Sequence, residues 1–273
     1  MARRHDVSCV MPTRGPLVGA GRPVEQDVGV PATSPPLPAP PTHAAVLPGT
    51  GSDEVFARAV FAPALTAAGL AVTAPRPVAG PALVGESLAA LDAAAAAANG
   101  PILVGGVSLG AQLAVEWALR NGSRCAGVLA VLPAWAGPPG NAPGAVAARA
   151  SADLIDRDGL DRALAISTDG VPPWLAAELT RSWRRHGDGL AAGLRAAAAH
   201  PAPDLDTLAR CRVPVGISAC TDDPVHPIEL ARGWAEALPL ASLRQMSLDA
   251  FGADPAAAGR ASVAAWREAA GAG

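Results

Sequence analysis

From residue 43 onward, hydrophobic positions fall into two alternating rhythms. Apolar runs of strand length occur at Ala44–Leu47, Leu70–Ala74, Ile102–Val107, Val128–Leu132 and Val213–Ala219. Between them, apolar residues recur at helical spacing across Val55–Ala68, Gly85–Ala98, Leu109–Leu119 and Pro227–Leu238. Turn residues separate the segments. Pro48-Gly49 closes the first run, Gly69 and Asn99-Gly100-Pro101 stop two helices, and Ser52 is placed to cap the first helix. A run at Leu243–Met246 and a helix from Pro255 to about Ala270 complete the series.

Strands that alternate with helices specify a parallel sheet, because each crossover must pack back over the sheet it leaves. The expected fold class is therefore α/β, a mostly parallel doubly wound sheet. After Pro133 the rhythm breaks. Residues 134–208 carry helical patterns at Ala142–Asp156, Leu160–Ile166, Trp174–Arg185 and Gly189–His200, and no strand. This predicts a helical cap inserted after the strand at 128–132. Residues 1–42 differ again, because the prolines of Val30–Pro41 remove backbone donors and stop helices. The reading is a proline-rich, disordered leader at 1–42 and one capped domain over 43–273.

Composition narrows the function. Half of the 273 residues are hydrophobic and 16% are charged, which excludes a wholly disordered chain. The 21 basic residues are all arginine and face 24 acids, so no basic surplus exists to hold a nucleic-acid backbone. The alanine tract Leu88–Ala98 is too short and too weakly apolar to span a bilayer, and no signal-like run opens the chain. A cytoplasmic protein without nucleic-acid or membrane partners is expected, with no oligomeric state specified. Cys9, Cys125, Cys211 and Cys220 form no CxxC pair, which points to buried thiols rather than a disulfide framework or zinc site.

The strongest chemical signal is Gly106-Val107-Ser108-Leu109-Gly110, which joins the apolar strand 102–107 to the helix that follows. A serine on so tight a strand-to-helix turn has its hydroxyl pushed out above the sheet. The two glycines let strand and helix crowd together, and the helix N-terminus adds partial positive charge beside the serine. A second glycine-rich turn, Leu47–Asp53, follows the first strand. There the backbone N–H of Thr50, with that of Leu109, can face a developing negative charge. The same turn also reads as an ordinary connection capped by Ser52.

The strand order, the Pro48–Ser52 turn, Gly106–Gly110 and the later Thr221-Asp222-Asp223-Pro224-Val225 resemble the α/β-hydrolase superfamily over roughly residues 43–270. The resemblance implies a nucleophile at Ser108, an acid after a later strand and a histidine after the last strand. By the family's spacing the acid is Asp223, although both aspartates can instead cap the helix from Pro227. The family's opening antiparallel hairpin has no counterpart in this sequence.

The histidine departs from the pattern. The loop Ser247–Asp254 offers Phe251 nearest the expected place, and no histidine follows His226. His226 lies in the loop at the correct sheet edge and is the candidate base. His43 starts a strand at the opposite edge, His5 belongs to the leader, and His186 and His200 belong to the cap. Two arrangements remain: His226 oriented by Asp223, or an exchange of loops in which Asp249 orients it. Trp117, Trp234 and Trp266 read as core. Trp135 at the ligand edge is a substrate-binding candidate, and Trp174 and Trp183 join it from the cap.

The implied activity is hydrolysis of an ester, thioester or similar acyl bond in a small molecule, through a serine nucleophile and without metal or organic cofactor. Tryptophans and alanines in the cap suggest an uncharged, partly apolar substrate. The rival is a degenerate relative that binds a ligand without turnover.

Overall fold

The computed structural model describes residues 40–271. The leader reading, with His5 and Cys9, therefore lies almost wholly outside the described residues. The strands are β1 (His43–Leu47), β2 (Ala71–Thr73), β3 (Ile102–Val107), β4 (Cys125–Val131), β5 (Val215–Cys220) and β6 (Ala241–Met246). They form one sheet in the order β2-β1-β3-β4-β5-β6. Every pairing is parallel. The α/β class with a doubly wound sheet is thus observed, and β1 is the first strand among the described residues.

The helices of the main layers are α1 (Glu54–Ala67), α2 (Leu83–Ala97) and α3 (Leu109–Arg120). After β4 come α4 (Pro143–Asp158), α5 (Leu160–Ser167), α6 (Pro173–His186), α7 (Leu190–Ala199) and α8 (Leu205–Leu208). Then follow α9 (Ile228–Ala237), α10 (Leu248–Ala253) and α11 (Ala256–Ala269). Helix α11 packs on β4, β5, β6 and α1, whereas α3 packs on β1, β3, β4 and α2. Covered on both faces, β3 and β5 are buried at every position, which is why they read as continuous apolar runs. The edge strands β2 and β6 are only partly buried.

The chain reverses direction across the sheet between β1 and β3. Ligands in open parallel sheets bind beyond the carboxyl ends of the strands at such a switch point. The turns after β1 and β3 are the two that the sequence singled out.

Helices α4 to α7 form the cap, with a hydrophobic cluster of its own built on Trp135, Ala145, Ala152, Leu164, Trp183 and Leu190. Its alanines let helices approach closely. The short α8 packs on α9, and Leu208 joins the main core, so the helical block ends under the sheet layer rather than in the cap. Among the described residues no helix is long and apolar enough to cross a membrane. Cys125, Cys211 and Cys220 are buried free thiols. Burial pushes the Cys125 and Cys220 thiols up to about 12, far from the reactive thiolate.

Three local details differ from the sequence reading. The α1 N-cap is Asp53 rather than Ser52: its carboxylate accepts from the N–H of Val55 at 3.0 Å and of Phe56 at 3.2 Å. Helix α2 starts two residues earlier than the pattern indicated, at Leu83. The loop after β6 holds a helix, α10, capped by Ser247, whose hydroxyl accepts from the Ala250 N–H at 3.1 Å.

Helices α1 and α11 cross at close range over Gly259, where an added Cβ would lie 1.9 Å from the Val60 carbonyl oxygen. Helix propensity alone favours alanine there by about 1 kcal/mol. Gly259→Ala is nevertheless expected to lower stability by about 2 kcal/mol or more through overpacking, measured as the shift of the urea midpoint.

Candidate active site

Ser108 stands between β3 and α3 with φ 54° and ψ −114°, a left-handed backbone that a serine rarely adopts. Such a conformation costs about 1–3 kcal/mol and persists only where its surroundings enforce it. Here the Ser108 N–H donates to the Val131 carbonyl at 2.8 Å, which ties the turn to the end of β4. Crowding supplies the rest. A Cβ on Gly106 would lie 2.3 Å from the Gly110 carbonyl carbon, and one on Gly110 would lie 2.6 Å from the carbonyl oxygens of Leu47 and Pro48. The turn is sterically closed to any larger residue at either position.

Ser108 is partly exposed and opens into a cavity of about 500 Å³ between the sheet edge and the cap. Thr50 lines the same cavity. The preceding Gly49 lies close enough that its Cβ would meet the Ser108 Cβ at 3.4 Å. Leu109 is buried at the first position of α3, where a backbone N–H has no acceptor within the helix. Both predicted N–H donors therefore belong to turns that flank Ser108.

His226 Nε2 lies 2.9 Å from Ser108 Oγ, and its Nδ1 lies 2.8 Å from Asp223 Oδ2. An ionised carboxylate only accepts, so Nδ1 carries the proton and donates to Asp223, leaving Nε2 free to accept from the serine hydroxyl. The other carboxylate oxygen, Oδ1, accepts from the N–H of Val225 at 2.8 Å and of His226 at 3.2 Å. One aspartate thus shapes the turn that carries the histidine and also orients its ring. Strand β5 is two places from β3, about 10 Å across the sheet. The loop leans over that gap past Leu132, itself held at φ 52° by a 2.8 Å bond from its N–H to the Ser218 carbonyl.

The exchanged-loop arrangement is corrected. Asp249 is exposed on α10, and both ring nitrogens of His226 are already engaged, by Asp223 and Ser108. Capping of α9 by the two aspartates is also not found, since Asp222 accepts from the Leu248 N–H at 2.7 Å and holds the loop after β6 instead. His186 faces the Ser52 carbonyl at 2.9 Å, and His200 pairs with Glu116 at 2.7 Å, so neither reaches Ser108. His43 is exposed beside Thr42. Phe251 is buried where the resemblance called for a base. Its ring meets Phe56 at 5.9 Å and Trp174 at 5.7 Å, both edge to face.

Trp135, Trp174 and Trp183 all line the cavity. Trp135 is fixed there by its N–H, which donates to the His200 carbonyl at 3.2 Å. Trp117 and Trp234 are fully buried and Trp266 partly so. The sequence reading missed Glu178, a buried carboxylate in the cavity wall that accepts from the Ser52 hydroxyl at 2.9 Å and pairs with Arg181. Arg181 in turn donates to buried Asp53 at 2.8 Å, tying α6 to the start of α1. The signal was present: Trp174, Leu175, Glu178, Leu179 and Ser182 recur at helical spacing and all line the cavity. Among the described residues no group of three or more His, Cys, Asp or Glu side chains is placed to hold a metal ion.

Burial alone would raise the Asp223 carboxyl, but hydrogen bonding and charge from His226 and the N–H groups of Val225 and His226 outweigh it and hold the group below the ordinary carboxylate range. A carboxyl depressed in the folded state stabilises above its unfolded value, near 4, and loses that contribution as pH falls through the lower folded value. Asp223→Asn should therefore flatten the acid limb of the stability curve, read from urea midpoints between about pH 6 and about pH 3.

No family model and no curated protein matches this chain. Solved structures do. Rv0554 from Mycobacterium tuberculosis is 17% identical with a TM-score of 0.61, covering 84% of this chain and 91% of its own. A structure from a study of carboxylesterases of Nitrososphaera gargenis is 12% identical with a TM-score of 0.64, covering 76% and 82%. The enol-lactonase from Burkholderia xenovorans LB400 is 17% identical with a TM-score of 0.58, covering 81% and 92%. At such identities the likeness concerns the path of the backbone. Together with the all-parallel sheet and its helical cap, it shows that this chain has the α/β-hydrolase fold.

Proposed function

We propose that the protein is a hydrolase that cleaves an ester, thioester or similar acyl bond through Ser108. The observation that carries this reading is the unbroken line from Ser108 Oγ to His226 Nε2 at 2.9 Å and from His226 Nδ1 to Asp223 at 2.8 Å. Hydrogen-bonded nucleophile, base and orienting acid are the geometry that acyl transfer requires, whatever their order along the chain. The similar folds of a carboxylesterase study and of an enol-lactonase agree with it.

In the proposed reaction Ser108 Oγ bonds to the acyl carbon as its proton passes to His226 Nε2. Asp223 stabilises the imidazolium that forms. Negative charge collects on the former carbonyl oxygen, where the N–H groups of Thr50 and Leu109 and the N-terminus of α3 receive it. His226 then returns the proton to the leaving oxygen or sulfur as its bond to carbon breaks. Water, deprotonated by His226, attacks the acyl-serine. The proton then passes from His226 to Ser108 Oγ as the bond from Oγ to the acyl carbon breaks, freeing the acid and restoring the serine. Trp135 forms part of the wall against which the acyl or leaving group packs.

A fluorophosphonate probe should label the folded protein at Ser108 and fail to label Ser108→Ala. His226→Ala should lower kcat for a p-nitrophenyl ester by about 10⁴ or more, and Asp223→Asn by about 10³–10⁴. Asp249→Asn should leave the rate within about twofold, because it takes no part in the relay. Absence of labelling in folded wild-type protein, beside a reactive control, sinks the reading.

A further inference from the structure

We propose that the cavity takes neutral, largely apolar acyl groups and excludes anionic ones, with Glu178 as the charge-selecting residue. This rests on the acyl-hydrolase reading of the same site. The cavity, about 500 Å³, has the size of a small-molecule pocket. Its titratable side chains are Glu178, Asp223 and His226. The chain contains no lysine, and none of its arginines lines the cavity among the described residues. Asp223 is occupied by His226 and its own turn, so Glu178 is the acid that an entering substrate meets.

Arg181, the cation beside Glu178, is shared with a second acid, Asp53, and so does not cancel its charge alone. Its side chain is only 8% exposed, with Oε1 accepting from Ser52 and Oε2 paired with Arg181. The guanidinium of Arg181 is shared with buried Asp53, and Arg181 does not line the cavity. Burial, helped by the charge of Asp53, holds the Glu178 carboxyl above the ordinary carboxylate range despite the charge of Arg181 and the hydrogen bonds from Ser52 and Arg181. A carboxylate has about four acceptor sites, so two remain beyond these contacts, and none of them can serve a second anion. An anionic acyl group would shed its hydration here, meet like charge and find no cation. Elsewhere Phe56, Leu179, Leu194 and Phe251 make much of the wall apolar, and its hydroxyls, among them Ser151, Ser167 and Ser182, are neutral. Among the described residues, therefore, no other wall residue near Glu178 offsets its charge.

Binding tests this without turnover. In Ser108→Ala protein, the cavity tryptophans report ligand entry by fluorescence. Benzamide should bind saturably, and benzoate at least ~10-fold more weakly at a pH near 8. Adding Glu178→Gln should bring the two within ~3-fold. Should that variant not fold, Ser151→Arg places a cation on the cavity wall without touching the Glu178 contacts, and it should tighten benzoate alone. Benzoate binding as tightly as benzamide, an unchanged gap in a folded Glu178→Gln protein, or no response to either ligand overturns the proposal. Discrimination without fluorophosphonate labelling of wild-type protein would reject the hydrolase reading alone, whereas labelling without discrimination would reject charge selection alone.

Discussion

The site depends on how one carboxylate divides its acceptors. Asp223 Oδ1 folds the loop by taking the N–H groups of Val225 and His226, and Oδ2 takes the ring proton of His226. The first pair of bonds decides where the histidine is, and the last decides which ring nitrogen is bare. Both follow from a spacing of three residues, which returns the backbone to its starting side chain within one turn. The single loop does work that the resemblance implied would be shared between two distant loops.

Strain at Ser108 is the complementary constraint. Its backbone is held in the left-handed region because strand and helix meet over two glycines with no room for a Cβ, and because the sheet continues past the end of β3 through the Ser108 N–H. The switch point between β1 and β3 brings the Gly49-Thr50 turn alongside. Sheet topology thus places the proposed oxyanion donors, while loop chemistry places the proposed base. Neither depends on the cap, which supplies the apolar walls and the buried network of Glu178, Arg181 and Asp53.

Much of this was readable in the sequence, because local rules governed it. Gly106–Gly110 lies between a fully apolar strand and an amphipathic helix, and only one kind of turn fits. Asp223 and His226 were legible as candidates and as one of two pairings, but the choice between the pairings was not, since spacing alone cannot tell an aspartate that caps a helix from one that orients a ring. The choice of Asp53 over Ser52 as the α1 cap was equally hidden. Adjacent residues of similar capping strength are separated here by Arg181, 128 positions away. Helix α10 was missed because it has only six residues, too few for its apolar pair Leu248 and Phe251 to show a period.

Confining the proposed acid and base to one loop also changes what the segment after β6 is for. Phe251 packs against Phe56 and Trp174, and a Cβ on the next residue, Gly252, would lie 2.0 Å from the Trp174 ring nitrogen. With no part in the proposed proton relay, this segment is a gasket of aromatic rings. Its shape can drift to suit a new guest without disturbing the alignment of the three groups that would cut it.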